Sequence, residues 1–300
     1  MIQYGVVVHG GVGAPTRWSD GCRSAASAAF RILKRGGRAL DAVCEAARIL
    51  EDDGRFNAGS GSTLRLDGTT IEMDAGLMDS AGCIGMVISV RDVRNPVLLA
   101  RALMRTPHMA LSGEGAQLFA RKQGLKRFGK PSRYSRERYR RLLHEINHGE
   151  LALHDPRWEG CDIKALWNFE LPYQNVFGVD TIGAVALDTD GTFAVANSTG
   201  GASPMLLGRV GDSPMIGCGF FAGPQAAVAC TGIGEEIIKK LLARGVYDLI
   251  ADGDEAREAC RKAIRPFPGK IPVGVIAISR TGCAVVSNRQ MAHHALIKKR

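Results

Sequence analysis

The stretch Gly178-Val-Asp-Thr-Ile-Gly-Ala-Val-Ala-Leu-Asp-Thr-Asp-Gly-Thr-Phe-Ala-Val-Ala-Asn-Ser-Thr-Gly-Gly201 decides how the chain is read. An apolar run over 182–187 meets a turn at Asp188-Thr189-Asp190-Gly191, and a second apolar run follows over 192–196. Asp-Gly between two such runs is a strong short-range hairpin signal. Beyond it, Ser198-Thr199-Gly200-Gly201 reads as a small-residue loop. Thr181 therefore stands at the mouth of a buried strand, directly after Asp180. Cut before Thr181, the chain would present a hydroxyl and a free α-amine on one residue, and the amine can serve as base for that hydroxyl. The plain alternative is a β-branched residue opening a strand. On this stretch alone the plain alternative has the better claim.

Working outward, residues 4–8 form a continuous apolar run ending in His9-Gly10-Gly11-Val12-Gly13, a strand followed by a glycine loop. Thr16 stands where a dinucleotide fingerprint needs its third glycine, and the chain has no phosphate-binding loop. Helices are predicted over 19–34 and from Asp41 to about residue 50. The loop Arg55-Phe56-Asn57-Ala58-Gly59-Ser60-Gly61-Ser62 follows. A hairpin is predicted from runs at 63–66 and 70–74 joined by Asp67-Gly68. Strand material spans 78–90, a helix starts at Asn95-Pro96, a short strand covers 109–111, and helices cover 116–123 and 134–147. Periodicity fades over 148–179, which reads as an exposed linker. After the central hairpin come a turn-rich loop at 208–214, a strand over 225–230, helices over 235–244 and 254–264, and a closing hairpin from 273–279 and 284–287. Hairpins outnumber crossovers, so the fold class expected is α+β, antiparallel sheets covered by helices, in a single domain over 1–300.

The bulk properties narrow the classes. Eight scattered Cys with no CxxC pair read as small buried hydrophobes in a reducing compartment. The seven His show no metal spacing, and His293-His294 reads as solvent-facing. No stretch approaches the length of a membrane span, and the N-terminus lacks a basic region before its short apolar run, so a cytoplasmic protein is expected. Much of the net charge of +9 sits in residues 121–141, where Glu137 is the only acid. Basic residues beside Tyr134 and Tyr139 could bind nucleic acid. A solvated, partly helical insertion is preferred, because a charge cluster alone gives only non-specific affinity.

The chemistry concentrates in small-residue loops that follow apolar runs. There is no GxSxG elbow. A nucleophile carrying its own amine needs no His; it needs an oxyanion hole, which Asn57 and the backbone N–H of Gly232 could supply. Arg209 could take a carboxylate through two parallel bonds, and Asp212 an ammonium. A structural turn with a surface ion pair is the competing account of Arg209 and Asp212.

Taken together, the segments HGGVGAP (9–15), ALDAV (39–43), FNAGSGS (56–62), EMDAGLMD (72–79), NPVLLAR (95–101), TIGAVALDTDG (181–191), STGG (198–201), GRVGDSP (208–214) and TGIGE (231–235) resemble the plant-type asparaginase and isoaspartyl peptidase family of N-terminal-nucleophile hydrolases. The resemblance covers nearly the whole chain, except residues 121–179. It implies a four-layer αββα sandwich with two mainly antiparallel sheets. It implies cleavage between Asp180 and Thr181, giving an α subunit (1–180) and a β subunit (181–300), and an active dimer of αβ units. Thr181 would attack the side-chain amide of L-asparagine or the β-peptide bond of an isoaspartyl dipeptide through a β-aspartyl enzyme ester. Thr199 and Thr231 match threonines that orient the nucleophile. Asn57 and Gly232 fall at substrate and oxyanion contacts, and Arg209 and Asp212 match the groups that hold the α-carboxylate and α-amine. No catalytic cofactor is implied. A structural sodium is implied on the backbone carbonyls of Leu50, Glu51, Asp53, Phe56, Ala58 and Ser60. Asp180 departs from the glycine usual before the nucleophile and resembles the glycosylasparaginase branch, which leaves that substrate class as an alternative. A catalytically silent relative that binds nucleic acid through 121–141 is the other.

Overall fold

The computed structural model describes residues 1–65, 67–147, 166, 168 and 178–300, with the backbone alone of 142–147 and 178–180. The expected linker lies almost wholly outside the described residues. The strands are β1 (Ile2–Val12), β2 (Met73–Asp79), β3 (Ile84–Val90), β4 (Ala110–Ser112), β5 (Gly178–Leu187), β6 (Phe193–Ser203), β7 (Phe220–Gly223), β8 (Ala226–Gly232), β9 (Val273–Ser279), β10 (Cys283–Ser287) and β11 (Met291–Lys299). The helices are α1 (Ser19–Lys34), α2 (Ala39–Asp53), α3 (Pro96–Leu103), α4 (Gly113–Lys122), α5 (Arg133–Asn147), α6 (Gly234–Lys240), α7 (Leu242–Ala251) and α8 (Ala256–Ile264). The chain is thus a mixed α+β protein with two sheets. One sheet has seven strands in the order β11-β1-β5-β6-β2-β3-β4, and the other has four in the order β10-β9-β8-β7. Every described pairing between named strands is antiparallel except β3 with β4.

Successive side chains on a strand point to opposite faces, and here both faces of the central strands are buried. Val6, Val8, Ile182, Ala184, Ala186, Ala194 and Ala196 face α1 and α2 in one core. Their neighbours Val7, Val185, Leu187, Phe193 and Val195 meet Phe220, Ala227, Ala229, Ile276 and Ile278 of the smaller sheet in a second core. A third core joins Val228, Cys230, Val275 and Ala277 to α7 and α8. This is why the strands read as continuous apolar runs and not as alternating ones. The helices supply small residues at helical spacing: Cys22, Ala25, Ala26, Ala29 and Leu33 on α1, and Ala39, Val43, Ala46, Ala47 and Leu50 on α2. Burying a large side chain such as Phe193 or Phe220 stabilises by roughly 1.5–3 kcal/mol.

Four expectations are corrected. Among the described residues no hairpin forms over 63–74. Arg65 N donates to Thr70 O, but the Asp67 carboxylate takes the N–H groups of Thr69 and Thr70, and the Arg65 guanidinium takes the carbonyls of Thr63 and Glu72, which a ladder would need. Ser198-Thr199-Gly200-Gly201 is not a loop but the buried interior of β6. The helix over 235–244 ends at Lys240, and Leu241 takes a left-handed turn (φ 45°). The next helix begins there because its first N–H groups, of Ala243 and Arg244, donate to Cys218 O and Gly217 O. The hairpin of β9 and β10 does not close the chain, since β11 continues to Lys299 and pairs with β1.

Candidate active site

Thr181 lies on β5 opposite Thr199 of β6. Next to this pair the register shifts: Val179 stands opposite Ala202, so Gly200 and Gly201 together face the single residue Asp180. Two residues against one is a β-bulge, and Gly201 adopts φ +79°, a conformation that a side chain would strain. The bulge falls at the Asp180–Thr181 bond, the expected cleavage position, where it re-aims the backbone.

The Thr181 side chain is 5 % exposed. Its Oγ1 lies 3.3 Å from Thr199 Oγ1, which also accepts the N–H of Gly201 at 3.0 Å. It lies 3.1 Å from Ser213 Oγ. Ser213 is 1 % exposed and was not singled out from the sequence, where it merges into a turn-rich loop between Asp212 and Pro214. The three hydroxyls border a small cleft that Gly201, Ala202, Arg209, Gly211, Asp212, Gly232 and Gly234 also line.

Arg209 and Asp212 stand side by side. A Cβ added at Gly234 would lie 2.9 Å from both Arg209 Nη2 and Asp212 Oδ1, so the absence of a side chain there lets the two groups converge. Arg209 forks onto Glu235, Nε to Oε1 and Nη2 to Oε2, each at 2.8 Å. Asp212 is 3 % exposed, and its Oδ2 has no hydrogen-bond partner. Burial pushes its carboxyl up to about 7, against the pull of Arg209. A buried carboxylate oxygen lacking a donor beside a cleft is a place for a cationic or donor group of a ligand.

Two expected residues stand behind the lining. Asn57 Nδ2 donates to Gly201 O at 2.7 Å, Asn57 O accepts Gly200 N at 2.8 Å, and Asn57 Oδ1 accepts Thr63 N at 2.8 Å. Thr231 Oγ1 accepts the N–H of Val12 at 3.1 Å and so ties the glycine-rich end of β1 to β8. Arg65, 1 % exposed, was also missed: its Nη1 donates to Gly200 O at 2.9 Å, and its Nε lies 3.6 Å from Glu72 Oε2. The Glu72 carboxylate in turn accepts Gly208 N, so a buried ion pair joins the floor of the cleft to the loop that carries Arg209. A lone Arg between Leu64 and Leu66 reads as the outward-facing residue of a short alternating run, which gives no sequence signal for such burial.

Among the described residues no group of three or more His, Cys, Asp or Glu is placed to hold a metal ion, and no helix is long and apolar enough to cross a membrane.

A buried threonine on a central strand, with two further hydroxyls near its oxygen and a guanidinium and a buried carboxyl beside it, is an arrangement from which an enzyme site can be built. The chain belongs to the asparaginase family, whose model matches residues 2–299. It is 36% identical to the plant-type L-asparaginase of Pyrococcus abyssi over 98% of this chain and 96% of the relative. It is 37% identical to the isoaspartyl peptidase/L-asparaginase of Xenopus laevis, over 97% and 91%. It is 39% identical to the protein of that name from Rattus norvegicus, over 92% and 80%.

Proposed function

We propose that the chain is a self-cleaving amidohydrolase of the N-terminal-nucleophile type, built as a four-layer αββα sandwich, which acts on L-asparagine and β-aspartyl dipeptides. The observation that carries this reading is Thr181 Oγ1 held between Thr199 and Ser213 at the edge of a cleft flanked by Arg209 and Asp212. In the uncut chain the Thr181 nitrogen is an amide and cannot act as a base. Attack of Thr181 Oγ1 on the carbonyl of Asp180 converts the peptide bond to an ester, and water then releases the Asp180 carboxylate and the Thr181 amine. The Asp180 carboxylate is the candidate acceptor of the hydroxyl proton in this first step.

In turnover the freed amine takes the Thr181 hydroxyl proton while Oγ1 attacks the side-chain carbonyl carbon of the substrate. The oxyanion would be met by the N–H of Gly232, while the Asn57 amide, donating to Gly201 O, holds the strand behind the cleft. Ammonia, or the amine of the next residue in a β-aspartyl dipeptide, leaves with the proton. Water then hydrolyses the β-aspartyl ester and releases aspartate. Arg209 takes the α-carboxylate and Asp212 the α-ammonium, while Thr199, Thr231 and Ser213 orient the nucleophile and the strands around it. The working assembly would be a dimer of αβ units in the cytoplasm.

A structural sodium on the carbonyls of Leu50, Glu51, Asp53, Phe56, Ala58 and Ser60 belongs to the same proposal. The loop fits it in donor chemistry: these are neutral hard oxygens. The loop is also curled tightly enough that a Cβ on Gly61 would lie 1.9 Å from Phe56 O and one on Gly59 2.5 Å from Glu51 O. Such an ion would hold the loop and take no part in the chemistry.

Intact mass measured on freshly purified protein, and again after several days, tests the reading. The expected result is two fragments, one beginning at Thr181, with ammonia release from L-asparagine appearing alongside them. A chain that stays whole and releases no ammonia overturns it. Hydrolysis of a glycosylated asparagine, but not of asparagine or β-aspartyl dipeptides, would shift the assignment to the glycosylasparaginase reaction that Asp180 suggests.

The Asp212 carboxyl adds a pH dependence. Held up at about 7 by burial, it is mostly neutral below that pH and attracts an ammonium only above it. KM for asparagine should therefore rise as pH falls through about 7, approaching roughly ten-fold per pH unit below it. Asp212→Asn should raise KM and flatten this limb. A wild-type KM that stays level from pH 8 to pH 5.5 would remove Asp212 from ammonium binding.

A further inference from the structure

The basic segment over 121–141 has so far had no part in the function, and its inward face is more specific than a solvated insertion requires. Arg133, Arg136, Arg140 and Arg141 are exposed, but Ser135 is 1 % exposed and Arg138 is partly buried. Ser132, Ser135 and Arg138, three residues apart, lie on one side of the start of α5. Ser132 Oγ donates to Gly54 O at 2.6 Å and Ser132 N to Ser60 O at 2.9 Å. Ser135 Oγ donates to Ser62 O at 2.6 Å. Arg138 donates through Nη1 to Arg55 O at 3.1 Å and through Nη2 to Gly61 O. One short segment thus ties down the carbonyls of Gly54, Arg55, Ser60, Gly61 and Ser62.

The other side of that loop is the floor of the cleft, since Asn57 O accepts Gly200 N and Asn57 Nδ2 donates to Gly201 O. The loop is therefore gripped between α5 and the strand that carries Thr199. Arg138 places a fixed positive charge on the carbonyl rim of a loop whose other carbonyls suit a monovalent cation. Charge-assisted bonds to carbonyls are stronger than neutral ones, and a guanidinium spans two acceptors at once.

We propose that Ser132, Ser135 and Arg138 form a positioning clamp that presses the loop of residues 54–62 onto Gly200 and Gly201. The clamp touches no substrate atom. It acts on the reaction through the backbone on which Thr199 and Thr181 sit, and only its kinetic consequence rests on the function proposed above.

Amide hydrogen exchange of purified protein, at one fixed sodium chloride concentration throughout, tests it. The probes are Thr63 N–H and Gly200 N–H, which bond to Asn57 on the side of the loop away from α5. In the wild type their exchange should be slow, and in Arg138→Met it should quicken by at least about ten-fold. Arg138→Lys, which keeps the charge but not the fork, should fall between the two. The kcat of Arg138→Met on asparagine should fall with KM little changed, because Arg209 and Asp212 are not moved. Wild-type exchange at Thr63 and Gly200 in Arg138→Met overturns the proposal. Should Arg138→Met fail to fold, Ser135→Ala removes one bond of the clamp and is read at the same two amides. An exchange change in a protein that never hydrolyses asparagine would keep the clamp and sink the function; hydrolysis without an exchange change would do the reverse.

Discussion

Thr181→Ala is expected to leave a single unbroken chain with no measurable hydrolysis of asparagine. One oxygen serves twice in the proposed scheme, first against the carbonyl of Asp180 and then against the substrate. Removing a nucleophile of this kind costs on the order of 10⁴–10⁶-fold in kcat. Here the loss is compounded, since the base is the Thr181 amine and that amine appears only after the first reaction. The substitution is small, and Ala is compatible with a buried strand whose neighbours include Ala184 and Ala186, so the protein should fold and melt close to the wild type. Thr181→Ser keeps the oxygen and should still cleave, though more slowly, because it lacks the methyl that fixes χ1. Mass spectrometry reads the first reaction and ammonia release the second. An unbroken Thr181→Ala chain that still releases ammonia would place the nucleophile elsewhere.

Arg209→Leu should lower kcat/KM by about 10²–10³-fold, most of it in KM. Losing a forked, largely desolvated contact to a ligand carboxylate costs about 3–4 kcal/mol, which is that range in binding. In the ligand-free protein the fork is satisfied by Glu235, so the arriving carboxylate must share or displace it. Arg209→Lys should recover only part of the loss, because a point charge does not reproduce two parallel bonds. Folding should scarcely change: Arg209 and Glu235 are 17% and 38% exposed, and water screens what their pairing contributes to stability. A kcat/KM within three-fold of wild type, at unchanged melting temperature, would mean that the fork serves only the turn it sits in.

Much of this was legible in the chain itself, for identifiable reasons. β1, β5, β8, β9 and the first half of β6 announce themselves because both of their faces are buried and each carries a continuous apolar run. Asp188-Thr189-Asp190-Gly191 fixes its turn because the Asp188 carboxylate caps Asp190 N and Thr192 N, a local bond that local sequence can encode. What the sequence hid depends on distant partners. Ser198-Thr199-Gly200-Gly201 has the composition of a loop, and only β2 and β5 on either side make it a strand. The run of β11 mixes His293, His294, Lys298 and Lys299 with apolar residues, because it is an edge strand with one neighbour. Ser213 looks like any turn hydroxyl until Thr181 is brought within 3.1 Å of it. Arg65 reads as a surface charge until Gly200 and Glu72 close around it. The residues of the candidate site were found one by one; how Asn57 and Thr231 grip the backbone behind it was not.

The order β11-β1-β5-β6-β2-β3-β4 means that the two segments on either side of Asp180–Thr181 are shuffled through one sheet. β1 lies between β11 and β5, which come from the later segment, and β6 is zipped to β2, which comes from the earlier one. A break at that bond would therefore release no part of the molecule. The pieces would stay laced together by ladders along β1 and β2, and either one alone would show raw strand edges and an open core. Self-cleavage in such a topology is a one-way ratchet: the scission leaves the architecture standing, but pieces once pulled apart have lost the continuous chain that first brought their strands into order. Denaturant should part them, and dilution into buffer should return far less activity than the uncut chain gains when it refolds.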